Sequence, residues 1–199
     1  MSDESSSFAP ESLKRILQAV TFAARAHGHQ KRKTGDVPYV LHPLRVAQLL
    51  AETGGGERVI IAGLLHDTLE DTQIGPEEIE STFGAQVRKI VEGCTEPDRS
   101  ESWENRKQHT LDALKTAPRE ILLVTWADKF DNIRSIVRDL DEGRSSIWEH
   151  FKRGRDSQEW FYRSLVASFR DRFTGADARL AELLAVEVDT VFGPEKKPG

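Results

Sequence analysis

The chain predicts an all-α fold, and three observations carry that expectation. Apolar residues recur at intervals of three and four along nearly the whole length, the spacing that gathers side chains on one face of a helix. Glycines and prolines cut the pattern into pieces of helical length. No stretch alternates apolar and polar residues over the span that a half-buried strand needs.

Taken in order, Met1 to Pro10 is rich in Ser, Asp and Glu and reads as a disordered tail. Leu13, Ile16, Leu17 and Val20 mark the first helix, and Gly35 to Pro38 a loop. Gly54 to Gly56 separates the next helix from one carrying Ile60, Ile61, Leu64 and Leu65. Pro76, Pro97 and Pro118 mark further connections, and Ile121 and Val124 lie on the helix that follows the last of them. Beyond Gly143 and Gly175, the stretch Asp177 to Val191 has Leu180, Leu183, Leu184 and Val188 in helical register. That helix packs on the body or joins a second copy in a homo-oligomer; periodicity does not choose. Gly193 to Gly199 reads as a second tail, which leaves residues 11–192 as a single domain.

Composition narrows the function. Of 199 residues, 31% are charged with a formal net charge of -5, so no global positive field draws in nucleic acid. No apolar run approaches the roughly 20 residues that span a bilayer, so no membrane role is expected. A single cysteine, Cys94, cannot close an internal disulfide, and a cytoplasmic location is expected.

The chemistry concentrates in Arg58 to Thr72. Wound at about 100° per residue, this stretch puts Ile61, Leu64, Leu65 and Leu69 on one side and His66, Asp67, Glu70 and Asp71 on the other. Between Val59 and Val87 there are six acids and no Lys or Arg, so no local base offsets these carboxylates. A solvated charged face and a cation site both account for such a cluster. Adjacent His and Asp supply an imidazole nitrogen and a carboxylate oxygen, a mixed donor set suited to divalent ions.

Two flanking motifs alter that balance. Upstream runs Arg32-Lys33-Thr34-Gly35-Asp36-Val37-Pro38-Tyr39-Val40-Leu41-His42-Pro43; downstream runs Trp126-Ala127-Asp128-Lys129-Phe130-Asp131-Asn132-Ile133-Arg134-Ser135, where Asp128 and Asn132 share a helix face. Together with the helix at Leu64 to Thr72 and the segment Phe83 to Thr95, these motifs resemble the HD superfamily, specifically the hydrolase domain of RelA/SpoT homologues and the small stand-alone alarmone hydrolases. The resemblance spans Leu13 to Arg138.

It implies a compact helical HD domain with a metal site between helices. His42, His66, Asp67 and Asp128 correspond to the four ligands of one divalent ion, usually Mn²⁺ in that family, and two imidazoles with two carboxylates leave positions open for water and a phosphate oxygen. Glu70 and Asp71 correspond to the acid pair that serves the attacking water. Arg32, Lys33 and Thr34 correspond to nucleotide contacts, as do Asn132 and Ser135, and Arg155 with Trp160 resembles a later pair that holds the nucleotide. The implied activity is hydrolysis of the 3′-diphosphate of (p)ppGpp, a small-molecule nucleotide. Two positions depart from the long RelA/SpoT proteins: Asp36-Val37 stands where they have one residue, and Asp131 where they usually have His or Tyr. Hydrolysis of another nucleotide and a catalytically silent sensing domain are the alternatives. His27, His29, His109 and His150 match none of these motifs.

Overall fold

The computed structural model describes residues 8–32, 36–96, 100–151 and 153–195. Lys33 and Thr34, residues 1–7 and residues 196–199 of the expected tails lie outside the described residues. The architecture is all-α as expected, with no strand among the described residues. No helix among them is long and apolar enough to cross a membrane. The chain divides into two compact units, residues 1–30 with 38–95 and residues 31–37 with 96–199.

In the first unit, α1 (Pro10–His27) starts with its proline in the first turn, where the missing N–H has no partner to lose, and ends at Gly28 with φ +46°. There follow α2 (Leu41–Glu52), α3 (Glu57–Leu65), the single turn α4 (Thr68–Asp71), α5 (Pro76–Phe83) and α6 (Ala85–Cys94). Helix α1 turns Ala19, Phe22 and Ala23 inward, while Leu13 and Leu17 are exposed. Phe22 meets Phe83 of α5 edge to face, 5.3 Å between ring centres. Helix α3 is the most buried element, with every residue from Val59 to Leu65 inside.

Gly63 sets how closely α3 and α2 approach. A Cβ at this position would stand 2.3 Å from Leu50 Cδ1 and 3.3 Å from Val46 Cγ1, both on α2. The absent side chain is the space into which those residues pack.

In the second unit, Ser102 caps α7 (Trp103–Leu114) by accepting from the Asn105 N–H at 3.1 Å. Then come α8 (Arg119–Asp141), a 3₁₀ segment (Ser145–His150), α9 (Arg155–Arg172) and α10 (Ala178–Phe192). The fully buried Trp126 of α8 stacks on Phe130 and donates its indole N–H to the Leu180 carbonyl at 2.7 Å, locking α8 to the start of α10. The last helix thus packs within its own unit, burying Leu180, Leu184 and Val188.

Candidate active site

The expected helix over Arg58 to Thr72 is interrupted: α3 ends at Leu65, His66 and Asp67 form a turn, and α4 follows. Side chains engage the carbonyls that a continuous helix would offer to the amides of residues 67 and 69. His66 Nδ1 lies 2.9 Å from the Gly63 oxygen, and Thr68 Oγ1 donates to the Leu65 oxygen at 2.6 Å. The loosened turn swings His66 and Asp67 toward the start of α2.

There His42, the second residue of α2, is fully buried, and its ring lies 5.1 Å from that of His66, edge to face. Asp67 Oδ2 is 2.9 Å from His66 Nε2 and 3.6 Å from His42 Nε2. The Tyr39 hydroxyl donates to the same oxygen at 2.5 Å. Because the Gly63 carbonyl only accepts, His66 Nδ1 donates to it, and Nε2 is the ring nitrogen that faces the carboxylate. A carboxylate beside two imidazoles is a mixed nitrogen and oxygen donor set that fits a divalent metal.

Within the second unit, Asp128 on α8 is buried and held from two sides: Asn132 Nδ2 donates to one oxygen at 2.5 Å, and Lys129 Nζ lies 2.7 Å from the other. Burial lowers the pKa of the Lys129 ammonium, but the Asp128 carboxylate and the hydrogen bond to it outweigh burial and hold it well above its ordinary value. Burial pushes the nearby Tyr162 phenol up, and its hydroxyl stays protonated. Arg32 Nη2 donates to Asn132 Oδ1 at 3.2 Å and Ser135 Oγ at 3.3 Å, and stands 4.0 Å from the buried Asp131 carboxylate.

The expected residues are therefore placed as follows. His42, His66 and Asp67 meet in the first unit, with Glu70 and Asp71 on the turn that follows, and Asp128 is buried in the second. Arg32, Asn132 and Ser135 meet in the second unit, where Asn132 also holds Asp128. Arg155 is placed apart from these contacts: its guanidinium donates to the Phe192 carbonyl at 3.0 Å and lies 5.2 Å over the Phe192 ring, closing the end of α10. Tyr39 contacts Asp67 in the first unit and Lys129 contacts Asp128 in the second, although nothing but their place inside the motifs signalled them.

A helical domain that offers a buried histidine, a His-Asp pair and a later aspartate on a long helix is of the HD type. The chain belongs to that family: the model described as HD domain matches residues 19–157. Among relatives, the chain is 45% identical over 142 residues to the guanosine-3′,5′-bis(diphosphate) 3′-pyrophosphohydrolase of Aquifex aeolicus, an alignment covering 69% of this chain and 20% of that protein. It spans about a fifth of that relative's length. It is 38% identical over 142 residues to the human protein named guanosine-3′,5′-bis(diphosphate) 3′-pyrophosphohydrolase MESH1, covering 69% of this chain and 79% of that one. Two solved structures are similar in fold: lmo0812 from Listeria monocytogenes, at TM-score 0.70 and 35% identity over 79% of this chain and 97% of that one, and a metazoan ortholog of SpoT described as hydrolysing ppGpp, at TM-score 0.72 and 26% identity over 91% and 98%.

Proposed function

We propose that this protein is a metal-dependent phosphohydrolase that removes the 3′-diphosphate of (p)ppGpp, releasing pyrophosphate and GDP or GTP. The observation that carries the reading is the convergence of His66 Nε2 and the Asp67 carboxylate, 2.9 Å apart, beside the buried His42. Relatives named for this reaction support it, among them one of which the chain covers 79%. In this reading His42, His66, Asp67 and Asp128 hold one divalent ion, Mn²⁺ by family resemblance. Such an ion supplies Lewis acidity toward a water and a phosphoryl oxygen.

The protein's own residues do the rest. Glu70 and Asp71 orient the attacking water and accept its proton as its oxygen bonds to the phosphorus on the ribose 3′ oxygen. The bond between that phosphorus and the 3′ oxygen breaks, the 3′ oxygen takes a proton, and pyrophosphate departs. Arg32, seated by Asn132 and Ser135, supplies a guanidinium fork for phosphate. By family resemblance Lys33 and Thr34 are assigned to nucleotide binding as well. The lone Cys94 supports a reducing compartment such as the cytoplasm.

The test incubates metal-stripped and Mn²⁺-loaded protein with ppGpp, an adenine alarmone and NADPH, and separates the products. GDP with pyrophosphate from the loaded protein alone supports the reading. Faster turnover of another nucleotide, or tight binding with no product, refutes it. Glu70→Gln and Asp71→Asn each lower kcat by about 10²–10⁴-fold while bound metal is retained; unchanged turnover in both removes them from the mechanism.

A further inference from the structure

A wired polar pair outside the candidate ligands lies at the end of α1. His27, the last residue of that helix, is 2% exposed, and its Nδ1 stands 2.9 Å from Gln30 Oε1. Gln30 in turn donates from Nε2 to the main-chain carbonyl of Asp71 at 2.7 Å, across 41 residues of sequence. A carbonyl only accepts, so the NH₂ of Gln30 faces Asp71 and its oxygen faces the imidazole; the hydrogen of the ring is thereby assigned to Nδ1. His27 Nε2 is buried without a hydrogen-bond partner among the described residues. This suits a nitrogen bearing a lone pair, since burying an unsatisfied N–H there would be costly.

The segment that receives this bond needs an outside hold. Helix α4 is a single turn, too short to persist by itself, and Thr72 leaves it in extended conformation. The Thr68 carbonyl is met from within, by the Thr72 amide at 3.2 Å and hydroxyl at 2.7 Å. The Asp71 carbonyl, on the last residue of α4, accepts from Gln30. The main-chain carbonyl of Gln30 accepts from the Tyr39 amide at 2.8 Å, and the Tyr39 hydroxyl reaches Asp67. Gln30 thus ties the end of α1 to both flanks of the turn that carries Glu70 and Asp71.

We propose that His27 and Gln30 are positioning residues for that acid pair: His27 fixes which way the Gln30 amide points, and Gln30 caps α4 so that the two carboxylates are held toward the attacking water. The inference rests on the function proposed above for Glu70 and Asp71. Its physical content is a polarity. With the Gln30 amide reversed, its oxygen would face the Asp71 carbonyl, and the cap would become a repulsion.

Two substitutions of nearly equal size separate polarity from bulk. His27→Asn keeps an N–H donor near the place of Nδ1, whereas His27→Asp puts an acceptor there and reverses the Gln30 amide. His27→Asp and Gln30→Ala are expected to lower kcat by about 10–100-fold with KM and Mn²⁺ affinity nearly unchanged, and His27→Asn to stay close to wild type. Amide exchange at Asp71 and Thr72 accelerates in His27→Asp and not in His27→Asn. Equal losses in the two His27 variants that follow a shared fall in Tm overturn the proposal, as does wild-type kcat in a folded His27→Asp. Nitrogen-15 shifts of the wild-type ring place the hydrogen on Nδ1; finding it on Nε2 overturns the pairing. If wild type turns over no ppGpp while the exchange difference and the Nδ1 hydrogen are both present, the proposed function falls and the cap stands.

Discussion

Asp67 carries several constraints in one side chain: it follows the loosened end of α3, faces two imidazoles and accepts the Tyr39 hydroxyl. That hydroxyl orients the carboxylate, and in the proposed metal site a group that orients a ligand governs affinity. Tyr39→Phe keeps the ring that packs 4.8 Å from His27 and 5.8 Å from His42, and removes only the donor. It is expected to weaken Mn²⁺ binding by about 10–100-fold in calorimetric titration, with Tm little changed. An affinity equal to wild type would show that Asp67 is held without Tyr39. The His-Asp pair was legible in the sequence because the two residues are adjacent. The role of Tyr39 was not, because it acts across 28 residues of chain. His27 and Gln30 offered only a His-x-x-Gln spacing at a helix end, and that spacing gains meaning when its far partner is the carbonyl of Asp71.

Helices were legible where breakers and apolar period agreed, as in the stretch after Gly56 that became the buried α3. The inward face was harder to read. Leu13 and Leu17, two of the four apolar residues that mark α1 in the sequence, are exposed, while Ala19, Phe22 and Ala23 face inward. The break at His66 was also hidden. Helix periodicity counts residues and does not register that a ring nitrogen and a threonine hydroxyl compete for two main-chain oxygens. The contact of α2 with α3 yields a prediction at this scale, since these helices carry or lead into both histidines. Gly63→Ala inserts a methyl against Leu50, which is fully buried, and Val46. Overpacking of this kind is expected to destabilise the fold by about 1–3 kcal/mol in denaturant unfolding. A stability equal to wild type would mean that Leu50 shifts without cost.

Across the whole molecule, the net charge of -5 conceals a buried basic cluster in the second unit, which a sum over residues does not reveal. Glu96 pairs with Arg106 at 2.6 Å and with Lys107, and all three side chains are largely buried. Burial alone would raise the Glu96 pKa, but Lys107, Lys129 and Arg106 outweigh it and hold the carboxyl below its ordinary 4.5. Burial, and then Lys129, lower the Lys107 ammonium, as expected where cations outnumber the acid. For Glu96 the folded form binds its proton less readily than the unfolded chain, so the unfolded state takes up protons first as acid is added. Its stabilising contribution is complete above pH 4.5 and is lost as pH falls through the lower folded value. Glu96→Gln keeps the shape and removes the charge. Its Tm should lie below that of wild type at neutral pH, and the gap should close as the pH drops from 4.5 toward the folded value. A gap of constant size over that range would mean that Glu96 contributes through packing and not through its charge.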